Sequence, residues 1–177
     1  MRSFFAIALL VVCSVSAITQ QLSQQARVQE ITASFTKHKH VVKEKYGVRR
    51  EKYKDVVSES LVKPNVREYS GVYETQDLGY VINVQVGSDG RIQANGSENG
   101  SRSFKLENAR IEGALLTATK VYSNGTTEKF EGVFMTRTER NSPNDAGVTR
   151  FGLGVIFVTP VEHDGNTYDK LFYQLKE

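Results

Sequence analysis

Apolar and aromatic positions change their period once along this chain. Val28, Ile31, Phe35, His38 and Val42 recur at spacings of 3, 4, 3 and 4, which is one face of an amphipathic helix. Tyr46 continues that face, Gly47 interrupts it, and Tyr53, Val56, Val57 and Leu61 resume it. The spacing predicts one helix from about Gln20 to Tyr46 and a second from about Arg49 to Ser60. Lys63-Pro64-Asn65 follows as a stop and linker, because the residue before a proline is driven out of the helical region.

From Glu68 onward the period is two. Tyr80, Ile82, Val84 and Val86 alternate with Val81, Asn83 and Gln85, and Asp89-Gly90 then turns the chain toward Ile92 and Ala94. Phe104 and Leu106 carry the alternation on, followed by Leu116, Ala118 and Tyr122. Ser123-Asn124-Gly125-Thr126 reads as a type I′ hairpin turn, whose two central residues need positive φ. Beyond it Phe130, Gly132 and Phe134 share a face, as do Phe151, Leu153, Val155 and Phe157. Asp164-Gly165 is a further turn, and Leu171, Tyr173 and Leu175 end the series. The pattern predicts about eight strands, with no helical stretch between them, hence an antiparallel meander. The fold class is mainly β with an N-terminal helical segment: an up-and-down barrel or half-barrel, whose closure removes the sheet edges. The interior of so small a barrel is filled by side chains or holds one small ligand. Its lining falls to Tyr73, Tyr80, Ile82, Val84, Phe104, Phe130, Phe134, Phe151, Leu153, Phe157 and Tyr173, as core or as ligand contacts.

Glu68-Tyr69-Ser70-Gly71-Val72-Tyr73-Glu74, which opens the β-region, resembles the first-strand motif of lipocalin-like (calycin) barrels. In that motif a Gly is followed two residues later by an aromatic, commonly Trp, and Tyr73 stands in that place here. Residues 68–177 are also similar to the lipocalin-like domain appended to some bacterial serine peptidases and β-lactamase-related proteins. The resemblance implies a barrel or half-barrel suited to ligand binding.

The segment before the helical pattern reads as an address. Arg2 supplies a positive start, Phe4 to Val12 an apolar stretch of nine residues, and Val15-Ser16-Ala17 small residues before a cleavage point. The stretch falls short of the roughly 18–20 apolar residues that span a bilayer. The expectation is a signal peptide over residues 1–17, cleaved after Ala17, and a secreted or periplasmic protein. Cys13 follows Leu10-Val11-Val12, but lipid attachment wants a small residue before the cysteine, and Val12 is not small. Cleavage at Ala17 leaves a chain without cysteine, whose core is stable without disulfides. Residues 18–67 then form a helical segment and linker, and residues 68–177 the barrel domain.

Composition removes several classes. With 177 residues, 39% hydrophobic and 24% charged, the chain is neither collagenous nor disordered nor a disulfide scaffold. Charge is uneven. Residues 18–68 carry 11 Lys+Arg against 6 Asp+Glu, a net +5, and residues 69–177 carry 11 against 14, a net −3. One reading is a basic helix, within residues 20–60, that touches anionic lipid or another polyanion; the other is a solvated face packed on the acidic remainder. Glu30, Glu44, Glu51 and Asp55 interrupt the positive run.

Candidate chemistry is sparse. On a helix the rings of His38 and His40 diverge, and Lys37 and Lys39 repel a cation, so no metal site is expected. His163 has Glu162, Asp164 and Asp169 nearby, the best place for a hydrolytic base, although a polar turn explains the same residues. No Gly-x-Ser-x-Gly elbow is present. Gly152-Leu153-Gly154 lacks the third glycine of a dinucleotide fingerprint and reads as a strand that bends or admits another backbone. The aromatics do not interleave with Lys or Arg, so nucleic acid is not an expected partner, and no cofactor is expected either. Asn95, Asn99 and Asn124 head glycosylation sequons, all built on Asn-Gly. The leading expectation is a secreted, non-enzymatic, lipocalin-like protein that binds a small apolar ligand. The alternatives are a structural or protein-interaction module acting through its basic N-terminal helix, and a hydrolase centred on His163.

Overall fold

The computed structural model describes residues 20–75, 79–158 and 168–176. The segment read as a signal peptide, the Asp164-Gly165 turn and His163 lie outside them. The period-two segments become strands: β3 (Gly71–Glu74), β4 (Val81–Val86), β5 (Ile92–Glu98), β6 (Arg102–Glu112), β7 (Leu115–Tyr122), β8 (Thr127–Arg140), β9 (Val148–Val158) and β10 (Tyr168–Leu175). Each pairs antiparallel with its neighbour in sequence, and β10 returns to β3 through Gln174↔Glu74 and Leu175↔Tyr73. The result is a closed, eight-stranded, up-and-down barrel.

The basic region differs from the helical expectation. Helix α1 covers residues 20–34 and then stops. Lys37–Lys45 and Val48–Ser60 are strands, β1 and β2, paired antiparallel from Lys37↔Val56 to Lys45↔Val48. The predicted second helix is therefore a strand, and the first is half its predicted length. His38 and Val42 satisfy helical spacing, yet Val41, Val42, Val48, Val56 and Val57 are β-branched and fit an extended chain better. Tertiary pairing decides the matter: β2 adds to β8 from Asp55↔Arg140 to Ser60↔Met135. Tyr46 (φ 56°) and Gly47 (φ 72°) make the turn, both left-handed as a two-residue hairpin requires.

The turn at 123–126 also differs from expectation. Gly125 is at φ 84°, while Asn124 stays out of the left-handed region. The Asn124 side chain instead accepts the Thr126 N–H at 3.0 Å, and Gly125 N–H reaches Tyr122 O at 2.9 Å. Such a side-chain brace suits a right-handed turn closed by one glycine. A left-handed pair like that of Tyr46-Gly47 occurs instead at Asn99 (φ 51°) and Gly100 (φ 68°).

Strand β8 organises the packing. One edge pairs with β9 and the other pairs first with β7 and then with β2. Alternation sends Phe130, Gly132 and Phe134 into the barrel and Glu131, Val133 and Met135 outward. Phe130 through Met135 are all buried, because the outer face is covered as well. The cover is α1 with the turn that ends it: Ile31 and, just past the helix, Phe35 pack with Leu115, Val133, Met135 and Ile156. Gly154 admits the helix, since a Cβ there would stand 2.6 Å from Met135 Cε and 2.9 Å from the Phe35 ring. Ser58 Oγ donates to Phe35 O at 3.1 Å, and Lys170 Nζ to Ser34 O at 2.7 Å, which satisfies the carbonyls of the helix end. On the same face Arg27 reaches Glu131 at 2.7 Å and Glu30 at 2.7 Å.

Two outcomes test this packing. Ile31 is fully buried, so Ile31→Ala is expected to destabilise the fold by about 2–4 kcal/mol in urea denaturation. Burial pushes the Glu131 carboxyl up, but hydrogen bonds from Lys129 and Arg27 outweigh it and hold the group below its ordinary value of 4.5. A depressed carboxylate stabilises the fold above its unfolded pKa and loses that contribution as pH falls through the folded one. Glu131→Gln is therefore expected to flatten the decline of Tm with acidification below pH 4.5, read from melts in a pH series.

Candidate functional site in the barrel interior

The inward residues form two layers of different chemistry. The first is aromatic and closes one end. A short 3-10 turn, Val66–Tyr69, precedes β3 and turns Tyr69 into the barrel, where its ring stacks on Phe134 at 4.2 Å between centroids. Its hydroxyl accepts the Lys63 N–H at 2.7 Å and lies 3.0 Å from Leu61 O and 2.9 Å from Gly113 O, tying the linker to the β6–β7 turn. Tyr73 packs against Phe134 and Phe151 at 5.6 and 6.2 Å and donates its hydroxyl to Tyr69 O at 2.8 Å. Burial and the neighbouring Tyr69 raise the Tyr73 phenol above its ordinary range, so it stays a neutral donor.

Toward the opposite end the wall becomes polar. On β7 the inward parity runs Leu116, Ala118, Lys120, Tyr122, and this places a lysine inside the barrel. Lys120 is 1% exposed and pairs with Glu98, the last inward residue of β5. Gly96 makes the space: a Cβ there would lie 2.4 Å from the Phe104 ring, and that ring lies 4.5 Å from Lys120 Nζ. Tyr122 stands at 4.9 Å on another side of the ammonium, with its hydroxyl 3.1 Å from both Glu98 and Glu128. The Arg102 guanidinium lies over the Tyr122 ring, 4.2 Å from its centroid, and is 3.7 Å from Glu98. Burial lowers the Lys120 pKa, and the Glu98 hydrogen bond opposes part of that shift. Burial, then the Glu98 and Glu128 carboxylates, raises the Tyr122 phenol. Tyr173 is raised by burial, then by Glu98, Tyr80 and Tyr122.

The expected lining residues meet here. Tyr73, Ile82, Val84, Phe104, Phe130, Phe134, Leu153 and Tyr173 are buried in one cluster, with Tyr80 and Phe151 packed against it. The Phe157 side chain lies outside the described residues. The lining set omitted Glu98, Lys120, Tyr122 and Tyr69. Lys120 and Glu98 carry a legible signal, a charge on the apolar parity of an alternating strand, but their pairing needs the β5–β6–β7 register. Asn95, Asn99 and Asn124 are all exposed. His38 and His40 share one face of β1, unlike the diverging rings of a helix, and meet Asp55 and Glu51 across the hairpin. Among the described residues no three His, Cys, Asp or Glu side chains gather as a metal site.

An ion pair on the inner wall is poor stabilising material, because desolvation offsets the attraction. Removing one partner leaves a buried charge. Lys120→Met is therefore expected to cost about 3 kcal/mol, and Lys120→Met with Glu98→Gln to recover at least half of that, in denaturant titrations of both variants.

No family model, no curated protein and no solved structure matches this chain.

Proposed function

We propose that the chain is a secreted, non-enzymatic, lipocalin-like binding protein. Its ligand is a small amphipathic molecule, held at the polar end of the barrel interior. The closed barrel supplies the enclosure, and the apolar Phe4–Val12 stretch followed by Val15-Ser16-Ala17 supports export.

The observation that carries this reading is the buried Lys120–Glu98 pair. A barrel of this size is stable with apolar side chains throughout, so a desolvated ion pair is explained better by recognition than by stability. Binding pockets are mostly apolar, with a few placed polar groups that fix orientation. Phe104, Phe130 and Tyr173 supply the apolar wall, and Lys120, Glu98 and Tyr122 the polar groups. Tyr69 closes the other end, so a ligand enters from the side of Tyr80 and Arg102. Recognition proceeds by exchange: a polar head group takes over part of the hydrogen bonding within the Glu98–Lys120–Tyr122 cluster, while its apolar body replaces contacts among the rings.

Purified full-length protein is expected to release a co-purified lipid-like molecule on organic extraction, and to show the bound mass in native mass spectrometry. It is also expected to bind a fluorescent fatty acid saturably. Lys120→Met is expected to weaken that probe by about tenfold, the loss of one charge-assisted hydrogen bond. A folded protein that carries no extractable molecule and does not bind the probe would falsify the reading.

A further inference from the structure

The β1–β2 hairpin sorts its charges by face. In the register Lys37↔Val56 to Lys45↔Val48, one face carries Lys37, Lys39, Lys43 and Lys45 from β1 with Arg50, Lys52 and Lys54 from β2. The other carries His38, His40 and Arg49 with Glu44, Glu51 and Asp55, the three carboxylates of the ribbon. That second face mixes its charges and pairs them locally: His38 meets Asp55, His40 lies 3.4 Å from Glu51, and Arg49 lies 2.6 Å from Glu51. On the basic face a single ion pair forms among the described residues, Lys54 with Glu139 at 3.8 Å. All seven cations are exposed.

This arrangement works against the hairpin itself. Lys39 sits directly opposite Lys54, and Lys43 directly opposite Arg50, and like charges in that position destabilise a strand pair. The contact of β2 with β8 begins only at Asp55, so the ribbon before it projects as two strands, a unit of marginal stability in water. The tip adds an independent observation. Tyr46 occupies a left-handed turn position (φ 56°) that bulky residues rarely adopt, and it is 91% exposed. Val48 beside it is 56% exposed, and Lys45 Nζ rests 5.1 Å over the Tyr46 ring. A strained, solvent-facing aromatic set among cations gains nothing from the fold, and strain of this kind points to a role at a contact.

We propose that the β1–β2 ribbon docks the protein on an anionic lipid bilayer, with its Lys/Arg face against the head groups and Tyr46 in the interfacial layer. Lysines that extend along apolar stems toward phosphates, beside a tyrosine at head-group depth, are the chemistry of a membrane–water interface. A linear polyanion, a sulfated polysaccharide or a nucleic acid, uses the cations but leaves Tyr46 and Val48 without a role. The basic surface contact expected of a helix is thereby moved to a β-ribbon and given a defined face. Helix α1 contributes only Arg27 and Glu30 to the charge of this region.

The test is cosedimentation of the full chain with phosphatidylcholine vesicles, plain or containing about one third phosphatidylglycerol. Binding is expected to the anionic vesicles alone, and to fall as salt is raised from about 0.05 to 0.5 M. Lys39→Gln/Lys43→Gln/Lys52→Gln is expected to weaken it by roughly tenfold or more, and Tyr46→Ser by several-fold. The matching Lys→Arg triple is expected to keep it. So is Arg91→Gln/Lys105→Gln/Arg110→Gln, which removes the same net charge from other exposed positions. Circular dichroism checks that each variant is folded. Three results overturn the proposal: no binding to anionic vesicles, equal binding by the two Gln triples, or binding to heparin or duplex DNA with none to vesicles.

Discussion

The pairing of β8 with β9 is the contact on which the rest of the structure depends. It runs from Glu131↔Ile156 to Glu139↔Val148, and its first half closes the barrel. Its second half continues past the barrel rim, where β7 has ended and β2 has taken over the other edge of β8. One strand therefore seals the interior, supports α1 on its outer face and carries the hairpin beyond the rim. Burial on both faces from Phe130 to Met135 is the energetic expression of that triple duty. Neither α1 nor the β1–β2 hairpin has a comparable core of its own.

The two ends of the barrel are built from different chemistry. At one end Tyr69 stacks on Phe134, Tyr73 packs against the same ring, and the two tyrosines spend their hydroxyls on backbone carbonyls, which gives a rigid, hydrogen-bonded plug. At the other the same aromatic wall encloses Lys120 and Glu98. Satisfied polar networks of this kind specify one arrangement, and they also offer directional groups to anything that enters. The contrast between a plugged end and a polar end is the physical basis for reading the barrel as a binding protein.

Most of the barrel was legible in the alternation. Phe130-Gly132-Phe134 and Phe151-Leu153-Val155 each hold a single face across strands that pair, and large side chains filling a small barrel make that signal strong. The paired glycines of Gly152-Leu153-Gly154 read as a strand that bends or admits another backbone; at Gly152 the Tyr173 carbonyl and the Phe172 ring come close, and at Gly154 the approach is by the side chains of Met135 and Phe35. The β1–β2 hairpin was not legible, for two reasons. His38 and Val42 extend the true helical face of Val28, Ile31 and Phe35 by coincidence of spacing. The turn that contradicts them is Tyr46-Gly47, without the Asn or Asp that announces a left-handed pair. At Asn124-Gly125 the error ran the other way, since the local side-chain brace displaced the expected turn type. In the candidate site Lys120 lies between Ala118 and Tyr122 on the apolar parity of β7, a signal that the expected lining set passed over. Its partner depended on long-range register, which includes a shift between Glu107 and Arg110 that no local pattern announces.

A closed barrel sealed along β8 and β9, carrying a ribbon that is only marginally stable alone, implies a steep gradient of local stability. Native-state hydrogen exchange of the full chain measures it directly. The expected result is that the amides of residues 130–135 and their β9 partners exchange only through global unfolding, while those of residues 39–54 exchange orders of magnitude faster. Protection of the hairpin equal to that of β8 would contradict the account, because the ribbon would then be an integral part of the core.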